Sequence, residues 1–155
     1  MDEKLHWKTS WRIEKYLVGQ TAPYAVSEFD GNCALNLGIN LLFELATGDS
    51  ADHFDNSNAE IGVGDDDTAA AAAQHGLQAE TNKFYKGMEA GYPKAGAFQR
   101  LDFRSSFDDG EAEFAWEEFC VRNKTDGVNL NRKVSSQGTK RSGQIWLIRL
   151  RIELS

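Results

Sequence analysis

The side chains of this sequence best suited to chemistry are a carboxylate run, a carboxylate pair, two dibasic steps and two isolated thiols. Asp65-Asp66-Asp67 follows Gly64 and offers clustered oxygens of the kind a hard divalent cation takes. It lacks the spacing of a twelve-residue calcium loop and its closing glutamate, so it reads as a solvated turn. Asp52, Asp55 and Asn58 around His53 share that weakness. Glu117 and Glu118 are the residue types of a general acid and base, but neighbours on a strand point to opposite faces and cannot meet one substrate. His6, His53 and His75 lie in unrelated segments, and Gly62-Val63-Gly64 runs into aspartates that repel a phosphate. No catalytic residue, metal site or cofactor is expected, and the chain does not read as an enzyme.

Binding residues are easier to nominate. Arg132-Lys133 and Lys140-Arg141 flank a Ser/Gly/Thr loop and read as exposed cations, open to an anion, an acidic glycan or a neighbouring protein. Tyr85 and Tyr92 supply rings suited to stacking on a sugar. Arg149 and Arg151 project from the last strand opposite its apolar side, which makes that side the most testable interface; pairing with acidic strands of the same chain is the alternative. Cys33 and Cys120 stand in no metal-ligand or CxxC spacing and read as free thiols.

The elements that must position these side chains are strands. From Gln144 to Leu154 the apolar residues Trp146, Ile148, Leu150, Ile152 and Leu154 alternate with Arg149, Arg151 and Glu153, a period of two. Leu5 to Val18 alternates likewise, with Trp7, Thr9, Trp11 and Ile13 on one face. Tyr24–Phe29, Ala59–Gly64, Asn82–Ala90, Phe98–Phe107 and Val128–Val134 read as further strands. Asp108-Asp109-Gly110 reads as a hairpin loop joining Phe98–Phe107 to a strand over Glu113–Arg122, which is apolar on both faces and therefore central. Between residues 34 and 47 the period changes: Leu35, Ile39, Leu42 and Ala46 recur at helical spacing, and Gly48 follows as a C-cap. Ala69–Ala73 fits either one helical turn or an ordered loop. About eight short strands with Gly/Asp turns and one inserted helix indicate a single all-β domain over residues 1–155, a two-sheet antiparallel sandwich of Greek-key or jelly-roll type.

Charge narrows the partners. The net charge of −7 argues against nucleic acid, whose binding is driven by basic residues. Residues 1–121 hold 9 Lys/Arg against 22 Asp/Glu (−13), and residues 122–155 hold 8 against 2 (+6). Either the two parts neutralise each other within one sandwich, or the protomer has an acidic and a basic side suited to docking copies of itself or a neighbour. No run of about 18 apolar residues is present to span a membrane, and the charged start is unlike a signal peptide.

Three blocks carry a resemblance: Asn56 to Thr68, reading NSNAEIGVGDDDT; Phe103 to Trp116, continued by Glu117-Glu118-Phe119; and Leu130 to Val134 followed by Gly138-Thr139-Lys140 and the closing Trp146 strand. With the Trp11 to Lys15 opening and the Gly38 to Leu42 helix, they run in order over nearly the whole chain. The sequence thereby resembles a family of small structural proteins of tailed bacteriophages, whose members share a strand, a short helix, an "IGVGD.TT" turn and an "F.....A.F.W.E" hairpin. The resemblance implies a virion component, made in the host cytoplasm, that forms homo-oligomers and attaches to other virion proteins of capsid, neck or tail without enzymatic activity. The alternative is a module of a phage appendage that binds a host surface glycan. This chain departs from the pattern in its short acidic Asp65–Asp67 turn and in the basic Arg149 and Arg151.

Overall fold

The structure is a computed structural model that describes residues 3–155. The alternating first segment forms β1 (Trp7–Leu17), followed by β2 (Ala25–Asp30), the two-residue β3 (Cys33–Ala34) and the helix α1 (Asn36–Thr47). Gly48 ends the helix with φ 82°, the left-handed conformation expected of it. Then come β4 (Ala59–Gly64), β5 (Lys83–Gly87), the two-residue β6 (Lys94–Ala95), β7 (Arg100–Phe107), β8 (Glu118–Asn123), β9 (Asn131–Val134) and β10 (Gln144–Leu154).

These strands form two five-stranded sheets, in the orders β2-β1-β10-β7-β6 and β3-β9-β8-β4-β5, with every pairing antiparallel. The chain passes between sheets after β2, β5, β7 and β9. The expected sandwich is the observed fold. β10 lies at the centre of the first sheet, paired along its whole length with β1, from Trp7 opposite Leu154 to Leu17 opposite Gln144. Its alternation decides its orientation: Trp146, Ile148, Leu150 and Ile152 are buried against the second sheet while Arg149 and Arg151 face outward. From the second sheet, Ile61, Val63, Phe119 and Val121 meet them. Trp11 stacks on Phe29 with centroids 5.9 Å apart and planes 3° from parallel. Trp116 fills the space between sheets, edge-on to Trp146 at 4.8 Å and Phe107 at 4.9 Å.

One expected connection is absent. Asp108-Asp109-Gly110 turns the chain, with the Glu111 amide donating to the Asp108 carbonyl at 3.1 Å, but β7 and β8 are not a hairpin. β7 pairs with β10 along one edge and meets β6 on the other only at Leu101 and Asp102, and the chain after the turn leaves this sheet rather than returning along β7. Instead the chain bends at Ala112 (φ 50°), drops Trp116 into the core and enters the second sheet, where β8 pairs with β4 and β9. β8 is central and covered on both faces, as its apolar pattern requires. It begins at Glu118 rather than Glu113, since residues 111–117 make the crossing. Residues 69–73 form a loop, because a few alanines between Thr68 and Gln74 cannot repay helix nucleation. This loop belongs to a longer segment lying over the outer face of β8, fixed where the Gln78 and Ala79 amides donate to Glu118 at 2.8 Å each.

Candidate interaction site

Two of the cations expected to be exposed are structural. Arg132 is 0% exposed: its Nε donates to Glu118 Oε2 at 2.7 Å, and its Nη1 donates to the Thr68 carbonyl at 2.7 Å and to Gln74 Oε1 at 3.1 Å. Lys140 is also 0% exposed, its ammonium donating to the Asp108 and Glu111 carbonyls at 2.7 and 2.9 Å, and burial lowers its pKa. The first clamps the covering loop to β8 and the second holds the β7–β8 crossing. Their neighbours remain outside. Lys133 is half-buried near Gly31, and Arg141 is exposed.

Tyr85 does not present a free ring. The Arg122 guanidinium lies 3.5 Å from its centroid, and burial beside Cys120 raises the phenol to about 12. Burial also raises the Cys120 thiol, and both cysteines are free. Arg151 is neutralised within the sheet by a two-bonded contact to Asp102 across the β10–β7 pairing, at 2.8 and 3.0 Å. For this residue the intramolecular alternative is the observed one.

The remaining two sequence-nominated residues, Tyr92 and Arg149, come together. On the outer face of the first sheet, Arg12 of β1 is directly opposite Arg149 of β10, which is directly opposite Arg104 of β7. Side chains so paired start only about 5 Å apart, so this is a row of three like charges. The flanking two are compensated: Arg12 by Glu14 at 3.0 Å and by Glu28, and Arg104 by Glu89 at 2.8 Å. Tyr92 caps Arg104, its ring centroid 5.5 Å from the guanidinium carbon. Among the described residues Arg149 forms no ion pair, and its Nε is buried without an acceptor. These side chains, with Glu14 and Leu147, line a concavity of about 60 Å³. A hydrogen bond from Tyr16, and then the Arg12 guanidinium, hold the Glu14 carboxyl below its usual range despite partial burial. Arg12 and Arg104 escaped nomination because only the strand register places them beside Arg149, and that register depends on the sheet order.

A second surface lies at the end of the sandwich near α1. There Trp7, Leu42, Leu101, Leu130, Ile152 and Leu154 line an open, almost wholly apolar groove of about 360 Å³. Large apolar side chains close to it in sequence stand in solvent: Leu5 is 72% exposed, Phe43 68% and Phe98 76%. Phe98 sits in a short 3-10 turn with φ 61°, beside Gln99 of the groove lining. The alternation puts Leu5 on the face of Trp7 and Trp11, but β1 begins only at Trp7 and Leu5 stands outside it, and nothing in the sequence separates Phe98 from a core phenylalanine.

The acidic turn is held by the fold. Asp66 accepts from the Thr68 amide at 2.8 Å and lies 3.4 Å from Arg132 Nη2, while Asp65 accepts from Asn82 at 2.7 Å. Among the described residues no group of three or more His, Cys, Asp or Glu side chains is arranged to hold a metal ion. Among the described residues no helix is long and apolar enough to cross a membrane. No protein-family model matches this chain, and neither the curated proteins nor the solved structures contain a match to it.

Proposed function

We propose that this protein is a structural component of a bacteriophage particle, a sandwich that forms homo-oligomers and attaches to capsid, neck or tail without catalysing a reaction. The observation that carries the reading is the open apolar groove lined by Trp7, Leu42, Leu101, Leu130, Ile152 and Leu154, with Leu5, Phe43 and Phe98, near its lining residues in sequence, standing in solvent. An open apolar groove of this kind marks an interaction site. The ordered blocks that resemble small phage structural proteins, from Trp11 to the Trp146 strand, supply the kind of assembly. The edge strands β2, β3, β5 and β6 fit the same reading, because an unpaired edge must be blunted or completed by a neighbour.

The glycan-binding alternative loses one of its two rings, since Tyr85 is covered by Arg122. The deciding experiment has two parts: the mass of the purified protein in solution, and its stoichiometry in purified particles. A defined oligomer present at fixed copy number is expected. A strictly monomeric protein absent from the particle would overturn the proposal.

A further inference from the structure

We propose that the apolar groove near α1 receives Phe98 of a second copy of this chain, in a two-fold contact to which each copy brings both an inserted ring and a groove. The proposal deepens the oligomer reading and rests on it. Ring and groove lie side by side. Gly96, Gln99 and Arg100 line the groove, whereas Phe98, from the same turn, lines the adjoining hollow with Lys94, Arg100 and Asp102, so it stands on the ridge between the two concavities. The backbone is bent to hold it there. Phe98 and Gln99 have φ of 61° and 53°, a left-handed conformation that bulky side chains avoid, and the ring so placed is 76% exposed. Strain of this kind collects at functional sites, where a contact repays it. Within its own chain Phe98 has only the Arg100 guanidinium, 5.6 Å from its centroid.

The groove selects what enters it. No carboxylate lines it, and its one cation, Arg100, is bonded to Glu153 at 3.1 Å, so its walls favour an uncharged, apolar group. A cavity of about 150 Å³ already holds a benzene ring, and the groove offers about 360 Å³. Charge decides where two copies can meet. Each carries −7, which drives copies apart in general. The lining of groove and hollow is not acidic: Asp102 is held by Arg151, Arg100 by Glu153, and Lys94 beside Phe98 is a cation in no ion pair among the described residues. Area sets the strength. Each phenylalanine buries about 150–250 Å², so two rings and the walls they cover fall somewhat short of the roughly 1,200 Å² at which specific interfaces begin. Leu5, 72% exposed, supplies more: it lies one residue beyond the His6–Ser155 backbone pair that extends the β1–β10 ladder past Trp7 and Leu154 of the groove. An isologous contact of this size closes as a pair and exchanges, with a dissociation constant on the order of micromolar.

The test is sedimentation equilibrium of the wild type, Phe98→Ala and Leu154→Glu, with the two variants also mixed, alongside tryptophan fluorescence and urea unfolding at a concentration where the wild type is monomeric. Phe98→Ala is expected to weaken self-association by at least about tenfold and to unfold as the wild type does, since the ring it removes lies in solvent. Leu154→Glu, which places a charge in the groove, should weaken association likewise. Mixing the two should restore part of it, because Phe98 of the Leu154→Glu chain still fits the groove of the Phe98→Ala chain. Trp11, Trp116 and Trp146 are buried in the core, so a blue shift on mixing reports on Trp7 in the groove wall. Association untouched by Phe98→Ala, or a mixture no stronger than its parts, would overturn this inference and leave the oligomer reading standing. Loss with Leu154→Glu alone would overturn it too, by assigning the groove to a different segment. A wild type monomeric at every concentration would overturn the two-fold contact, and its absence from purified particles would overturn the structural reading as well.

Discussion

Arg132 and Glu118 show what a buried charge does in this molecule. Each is 0% exposed, and the pair is joined at 2.7 Å through Glu118 Oε2, which also accepts from the Gln78 amide, while Oε1 accepts from the Ala79 amide. Such a pair adds little net stability over a well-packed apolar substitute, but breaking it strands a charge. Arg132→Met is therefore expected to destabilise the fold by about 3–5 kcal/mol in urea unfolding. Adding Glu118→Gln should restore a substantial part, because the amide carries no charge to strand. In the sequence both dibasic steps looked alike, one cation after another beside a polar loop. What separates Arg132 from Lys133, and Lys140 from Arg141, is the side of the strand or turn on which each falls. For Arg132 that side is covered by a loop more than fifty residues earlier in the chain, and no local pattern reports such a lid.

At the scale of elements, hydrophobic period proved a good guide to which strands exist and a poor one to which strands pair. β4 and β10 have the boundaries their alternation gives, and α1 lies within the expected helical span and stops at Gly48. The β7–β8 hairpin failed because a turn signal says only that the chain reverses, and here it reverses out of the plane of one sheet into the other. Residues 33–34 and 94–95 form strands of two residues, too short for any period to show. Glycines report the packing between elements. A Cβ at Gly38 of α1 would meet the Leu130 Cα at 2.5 Å and the Asn129 and Leu130 carbonyl oxygens at 2.7 Å, all backbone that cannot step aside. Gly87, on the edge strand β5, has nothing within 4 Å of that position. Gly38→Ala should thus cost about 1–3 kcal/mol, since helix and β9 approach must separate. Gly87→Ala should be neutral or gain up to about 1 kcal/mol by restricting the unfolded chain. Chemical unfolding of the two variants side by side checks both.

For the molecule as a whole, the uneven charge resolves inward only in part. Arg122 binds Glu60 at 3.0 Å, Arg151 binds Asp102 and Arg132 binds Glu118, whereas among the described residues Lys124, Lys133, Lys140, Arg141 and Arg149 form no ion pair. These networks give stability a direction with pH. Hydrogen bonding from Tyr16 lowers the Glu14 carboxyl below its ordinary value near 4.5. Burial pushes Glu111 up, but bonds from Lys86 and the Asp108 amide outweigh it and bring it down as well. Carboxyls that bind protons less readily folded than unfolded contribute stability above the ordinary value and lose it as pH falls through the folded one. Melting temperature should therefore hold through neutral pH and decline once pH drops below about 4.5, with Glu14→Gln blunting the decline. The pairing of β1 with β10 has a further consequence, in the order of events during synthesis. Among the strands of the sandwich β1 is made first and β10 last, so the middle of the first sheet stays open until β10 has been made. Until then β2-β1 and β7-β6 are separate ribbons with Trp11, Ile13 and Phe103 unroofed. Closing them joins the first strand of the sandwich to its last, a pairing of high sequence separation that slows folding, and a chain cut short within β10 loses the sheet's keystone rather than its margin.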